Sequence, residues 1–216
     1  MTKNVLSLLL FILVFAISRI PGMLSADLGN FSPVYALMFC GGVYLNRRTA
    51  WWLPMLAAAI TDLGLNFYYQ SRGWDVWNAS MLSFQLFNYV AYAAIIFLGQ
   101  RFKPKHSFAS LLGGGLLGAL LFYFITNTAS WLFNPFQNPE YVKTFSGWLI
   151  ALIKGTHNWP ETWQFFRNTM LSGGLFAGLF VAAMKYSEAA ESAQEKKTPE
   201  PAEEPEPEDA PEEAKA

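Results

Sequence analysis

The sequence predicts an all-α integral membrane protein, a bundle of six transmembrane helices followed by a disordered acidic tail rich in Pro and Glu. Three observations predict it. Apolar residues make up 53% of the 216 and charged residues only 14%, a balance unusual in a soluble domain. Long apolar runs recur along the chain. The charges also segregate: Met1 to Lys185 holds twelve Lys/Arg against five Asp/Glu, whereas Tyr186 to Ala216 holds three Lys against eleven acids.

The runs fall at about Val5 to Ile20, Phe31 to Leu45, Ala50 to Tyr69, Met81 to Gln100, Phe108 to Thr126 and Phe165 to Lys185. Most approach the roughly 20 residues that cross about 30 Å of hydrocarbon. The second is short, so it must thin the bilayer, tilt little or be covered by the loop before it. The first also fits a secretory signal, but the small-residue site Ser25-Ala26 is poor and lies beyond Arg19-Ile20-Pro21-Gly22. Residues 1–185 form the membrane domain. Residues 186–216, with repeats such as Pro205-Glu206-Pro207-Glu208, repel themselves and cannot bury a core, which predicts a disordered cytoplasmic tail.

Basic residues orient the bundle. Lys3, Arg47-Arg48, the group Arg101, Lys103, Lys105, and Lys185 fall at alternate ends of successive spans, as an inner-membrane protein with both termini in the cytoplasm requires. Trp74, Trp77, Trp131, Trp148, Trp159 and Trp163 then fall mostly at the outer interface, and Trp51 and Trp52 at the inner one. Between Thr128 and Thr162 the stretch Glu140 to Lys154 has the mixed pattern of a short surface helix, either a lid or a plain cover. Gly114 and Gly118, and Gly174 and Gly178, form Gly-x-x-x-Gly faces for close helix approach, within this bundle or against another protein.

Asp62 lies deep in the third run with Asn66 one turn later. A carboxylate there is costly unless it faces protein, water or a ligand. Gln85 and Asn88 on the fourth span, Asn127 closing the fifth, Arg167 and Asn168 starting the sixth, and Asn30 before the second all fall in the same outer half. Polar groups on one side only suggest a cup, whereas a pore or proton relay would carry them through the full thickness. Phe67, Tyr68, Tyr69 and Trp131 supply an aromatic wall. The alternative is that these groups satisfy one another, for instance Asp62 with Arg19 or Arg167. Cys40 is alone in an apolar run, and His106 and His157 lack a second ligand at metal-binding spacing. No hydrolase, protease or phosphate-cradling signature is present. The sequence therefore predicts no enzyme, no metal, no cofactor and no nucleic-acid partner.

The blocks Asn30-Phe31-Ser32-Pro33 through Gly41-Gly42, Thr61-Asp62-Leu63-Gly64, Thr126 to Trp131 and Phe165 to Thr169 resemble an uncharacterised family of small bacterial integral membrane proteins. That family is itself similar to the S (substrate-binding) components of energy-coupling factor transporters. The resemblance implies a six-helix protein that captures a small solute from outside, with the loop around Asn30 and the residues Asp62, Asn127 and Asn168 near the pocket. It also implies association with a transmembrane coupling protein and ATPase subunits. Where the family is expected to carry an acidic residue after the Asn of the sixth span, this chain has Ser172-Gly173-Gly174. The expectation is thus a solute-binding specificity subunit in contact with membrane lipid. Its rival is a membrane scaffold or assembly factor that recruits a basic partner through the acidic tail.

Overall fold

The computed structural model describes residues 20–157 and 159–195, together with Leu13, Ala16 and Ile17. Most of the first expected span, Arg19, and residues 196–216 lie outside the described residues. Among the described residues every regular element is helical: α1 Ile20–Leu24, a 3-10 turn Ala26–Leu28, α2 Val34–Tyr44, α3 Thr49–Ser71, α4 Ala79–Gly99, α5 Phe108–Phe133, α6 Phe145–Ile153 and α7 Thr162–Glu195. The helix α4, the helix α5 and residues Thr162–Ala190 of α7 are long and apolar enough to cross a membrane. The chain is a membrane protein.

Local chemistry sets the helix ends. Asn78 caps α4 by accepting from Met81 N at 2.9 Å, Ser107 caps α5 by accepting from Ser110 N at 3.2 Å, and Thr144 caps α6 by accepting from Gly147 N at 3.1 Å. The helix α5 continues past Thr126, its expected end, to Phe133. Nothing between Asn127 and Phe133 breaks a helix, and the stop comes where Asn134 adopts left-handed φ 40°, ψ 59° just before Pro135.

Two compact units divide the chain, Met1–Ala183 and Met184–Ala216. In the second, helix persists through Glu195, beyond the point at Tyr186 where the disordered tail was expected to begin. The physical reason is composition. Tyr186 to Glu195 is rich in Ala and Glu, which favour helix, Ser192 Oγ donates back to Glu188 O at 2.9 Å, and the prolines start only at Pro199.

The centre of the first unit is α2. Every residue from Val34 to Val43 is buried, consistent with a helix that is apolar all round and has no face for solvent. It packs on α3, α4 and α5 together. Its 11 residues span about 16 Å, against about 32 Å for the 21 residues of α4. An isolated element of that length cannot cross a membrane, so the second expected span, Phe31 to Leu45, is a half-length core helix preceded by an irregular segment.

Close backbone approach seats α2. A Cβ at Gly42 would lie 2.5 Å from the Ile96 carbonyl oxygen and 2.9 Å from Gly99 Cα, and one at Gly99 would strike the Phe39 carbonyl. Gly41 clears the ring of Pro54 on α3, whose Cγ would lie 2.9 Å from an added Cβ. Phe39 fills the middle of the core, edge-on to Phe102 with ring centroids 5.2 Å apart, and Gly114 on α5 makes room for it. The two Gly-x-x-x-Gly faces meet partners within the chain: Gly118 packs on Ile95, Gly174 on Leu116 and Gly178 on Leu112.

The glycine at the α2–α4 crossing yields a direct test. Gly99→Ala forces backbone atoms apart and should lower stability by about 1–3 kcal/mol. Gly113→Ala, where nothing lies within 4 Å of the added carbon, should raise it by about 0.5–1 kcal/mol. Thermal melting of the purified protein in detergent reads both, and equal effects would refute the crossing.

Candidate functional site

Because α2 stops half-way, the space beyond its N-terminus is left to other elements. The result is a cavity of about 690 Å³. Its floor is aromatic: Tyr35 at the start of α2 lies 4.6 Å (ring centroids) from Phe122 of α5, which in turn stacks on Tyr92 of α4 at 5.5 Å and 14°. One wall is the half-buried face of α4 that carries Asn88, and the facing wall is Thr126, Asn127 and Ser130 of α5. Leu65 and Tyr69 come from α3.

The loop Gly29 to Ser32 closes one side. Asn30 turns the chain with φ 63°, a left-handed conformation that Asn tolerates better than most residues. Its carbonyl accepts from the Tyr35 hydroxyl at 3.1 Å and from Ser172 Oγ at 3.5 Å. The loop is held from α7 by Asn168, whose Nδ2 donates to the carbonyls of Asp27 at 2.6 Å and Gly29 at 2.9 Å. Asn168 Oδ1 accepts from Arg167 Nε and Nη2, both at 3.3 Å. Only 4% of Asn168 is exposed, and burying a carboxamide is tolerable because both of its ends are paired.

The segment between α5 and α7 covers the remaining side through Phe136, Asn138, Tyr141, Thr156 and Trp159. Hydrogen bonds to α5 pin it. Trp131 Nε1 donates to Val142 O at 2.8 Å, Lys143 Nζ donates to Leu132 O at 2.7 Å, Trp148 Nε1 donates to Thr128 Oγ1 at 3.1 Å, and the Tyr123 hydroxyl donates to Leu152 O. Trp159 meets Trp74 edge-on with ring centroids 6.4 Å apart. Burial, and then the negative charge of Glu140, raise the Tyr141 phenol above its usual 10.

The residues singled out in the sequence divide into three groups. Asn30, Asn88 and Asn127 line the cavity. Asn127 Nδ2 donates to Tyr123 O at 2.8 Å, whereas the Asn88 carboxamide has no hydrogen-bond partner among the described residues. Asn66 and Gln85 answer each other across α3 and α4, with Nδ2 to Oε1 at 3.2 Å and Nε2 to Oδ1 at 2.6 Å. Asp62 Oδ2 accepts from the Tyr89 hydroxyl at 2.8 Å. These two bridges join α3 to α4 and are not in the cavity lining. Asn168, Arg167 and Trp131 form the third group, holding the loop and the cover in place from outside that lining. Of the aromatic wall, Tyr69 lines the cavity, and Phe67 is exposed against Trp77 with centroids 5.8 Å apart.

A family model matches residues 1–196; it is described as a family of unknown function, DUF6580. The chain belongs to this family. Comparison with curated proteins and with solved structures returned no match. For this DUF6580 member the site is therefore read from its own geometry. The aromatic floor Tyr35, Tyr92 and Phe122 escaped sequence reasoning because each sits in a run that reads simply as apolar span. Only the half-length of α2 carried a signal of the hollow above it.

Asn168→Ala removes the donors from two loop carbonyls and should cost about 1–3 kcal/mol. Asn168→Asp, equal in shape but without those N–H donors, should be no better. Hydrogen exchange at residues 28–31 should rise in both variants while exchange within α4 stays unchanged; unaltered loop exchange would refute the clamp.

Proposed function

We propose that this protein is a membrane-embedded small-solute-binding protein, the substrate-specificity subunit of an energy-coupling-factor-like importer. In this reading the chain crosses the inner membrane six times, with residues 5–20 supplying the first crossing and the irregular segment before α2 together with α2 the second, and both termini lie in the cytoplasm. The basic residues Arg47, Arg48, Arg101, Lys103 and Lys105 favour the cytoplasmic side for the end where α2 and α4 finish. The cavity then faces outward.

One observation carries the reading: a cavity of about 690 Å³ whose lining joins carboxamides and hydroxyls to aromatic faces. That size and mixture suit a small organic molecule. Among the described residues no charged side chain lines the cavity, which favours a neutral solute, with a flat apolar part for Tyr92 and Phe122 and polar groups for Asn88 and Asn127. Asp62 supports the frame through Tyr89 in place of touching the solute. The resemblance to S components supports a role with a transmembrane coupling protein and ATPase subunits, which use the ATP. This chain's part is capture.

Purified protein should carry a copurifying solute detectable by mass spectrometry. Asn88→Leu should reduce its retention about fivefold to tenfold, the loss of one hydrogen bond, and Tyr92→Leu should reduce it through lost stacking. Deleting residues 188–216 should leave retention unchanged. Absence of any bound solute in the unaltered protein, with no small molecule raising its melting temperature, would overturn the reading.

A further inference from the structure

A second cavity, of about 620 Å³, opens at the opposite end of the first unit, where α2 and α4 finish. Three cations line it, Arg47, Arg101 and Lys103, together with Phe97 and the backbone at Gly42. No carboxylate is among the lining residues, and the three cations are exposed. Between Leu28 and Pro139 the only acids are Asp62 and Asp75. The first of these lies about 20 Å along α3 from its start, and the second follows that helix's far end. Among the described residues lining it, the cleft thus gathers three cations and no carboxylate. Gln100 Nε2, donating to Arg47 O at 3.4 Å, ties the loop carrying Arg47 to the end of α4.

What reaches this cleft is indicated by the surface beside it. Leu82, Leu86, Val90 and Phe97 of α4 are 45%, 61%, 54% and 51% exposed, and their spacing puts them on one side of the helix. This apolar stripe runs along α4 to the cleft, with Phe97 at the junction. The Arg101 guanidinium sits 4.4 Å from the Phe97 ring centroid, a cation held directly above the hydrocarbon-facing side chain. Trp51 and Trp52, both exposed at the start of α3, belong to the same level, where indoles favour the boundary between lipid and water.

We infer that this cleft binds the phosphate of an anionic phospholipid, with an acyl chain lying along the α4 stripe. The three cations meet the headgroup charge, as basic pockets between membrane helices do, and the stripe meets the chain. A free phosphate ion uses only the first of these features. The site is independent of the solute cavity.

The test uses full-length protein in detergent, with native mass spectrometry of retained phosphatidylglycerol against phosphatidylcholine. Unaltered protein should retain phosphatidylglycerol preferentially. The triple variant Arg47→Gln/Arg101→Gln/Lys103→Gln should lose that preference by roughly tenfold or more. Arg48→Gln/Lys105→Gln, which removes charge from the same end but not from the lining, should keep it. The charge-retaining Arg47→Lys/Arg101→Lys should keep most of it, which separates lost charge from lost fold. Millimolar inorganic phosphate should not displace the lipid. The inference is overturned by an unchanged triple variant, by equal loss in the Arg48/Lys105 variant, which means diffuse attraction, or by displacement with inorganic phosphate, which means a soluble anion is the ligand.

Discussion

A short helix buried on every side is the constraint from which the rest of the first unit follows. Since α2 meets α3, α4 and α5 at once, its position is set by the tightest of those contacts, the crossing of Gly42 and Gly99. Two backbones that near each other leave no room for a side chain on either. With that crossing at the end where α4 finishes, the N-terminus of α2 reaches only as far as Tyr92 and Phe122. Longer neighbours continue beyond it. The cavity is the volume that a full-length helix would have filled.

Such a hollow persists only if the chain around it is held open and its polar groups are paired. The holding is distributed over separate hydrogen bonds. Asn168 grips the loop before α2, the C-terminal turns of α5 grip the cover, and the Asn66–Gln85 and Asp62–Tyr89 bridges join α3 to α4. In a setting of low dielectric each of these pairs is stronger than in water, and each would be costly if broken on one side only. Polarity inside the bundle therefore serves two ends, framing the cavity and lining it.

The two ends of the unit differ in electrostatic character. The larger cavity is lined by neutral groups, and the smaller one gathers three cations. A neutral lining selects by shape, stacking and hydrogen bonds, and admits a solute without an ion's desolvation cost. A cationic cleft beside an exposed apolar stripe suits a ligand fixed in the membrane. The proposed anchoring at one end and the proposed capture at the other are compatible in one molecule because α2, buried along its length, lies between the two spaces.

Helix content and membrane class were determined by the sequence itself, since apolar runs long enough to span hydrocarbon and the caps Asn78, Ser107 and Thr144 act through local chemistry. So were the shortness of the run Phe31 to Leu45 and the presence of a short helix within Glu140 to Lys154, of which the structure keeps Phe145–Ile153. Where the ends of α5 and α7 were misjudged, the apolar run stopped before the helix did, because hydropathy marks the lipid boundary and not the last hydrogen-bonded turn. Grouping the polar residues was another matter. Counting residues put Asp62, Asn66, Gln85, Asn88, Asn127 and Asn168 in the same outer half, but depth does not specify rotation about the helix axis. Only the tertiary structure decided that Asn88 and Asn127 turn toward the cavity, that Asn66 turns to Gln85 and Asp62 to Tyr89, and that Asn168 turns to a loop 141 residues earlier, because those directions depend on which backbones could approach most closely, and that was set by glycines far apart in the chain.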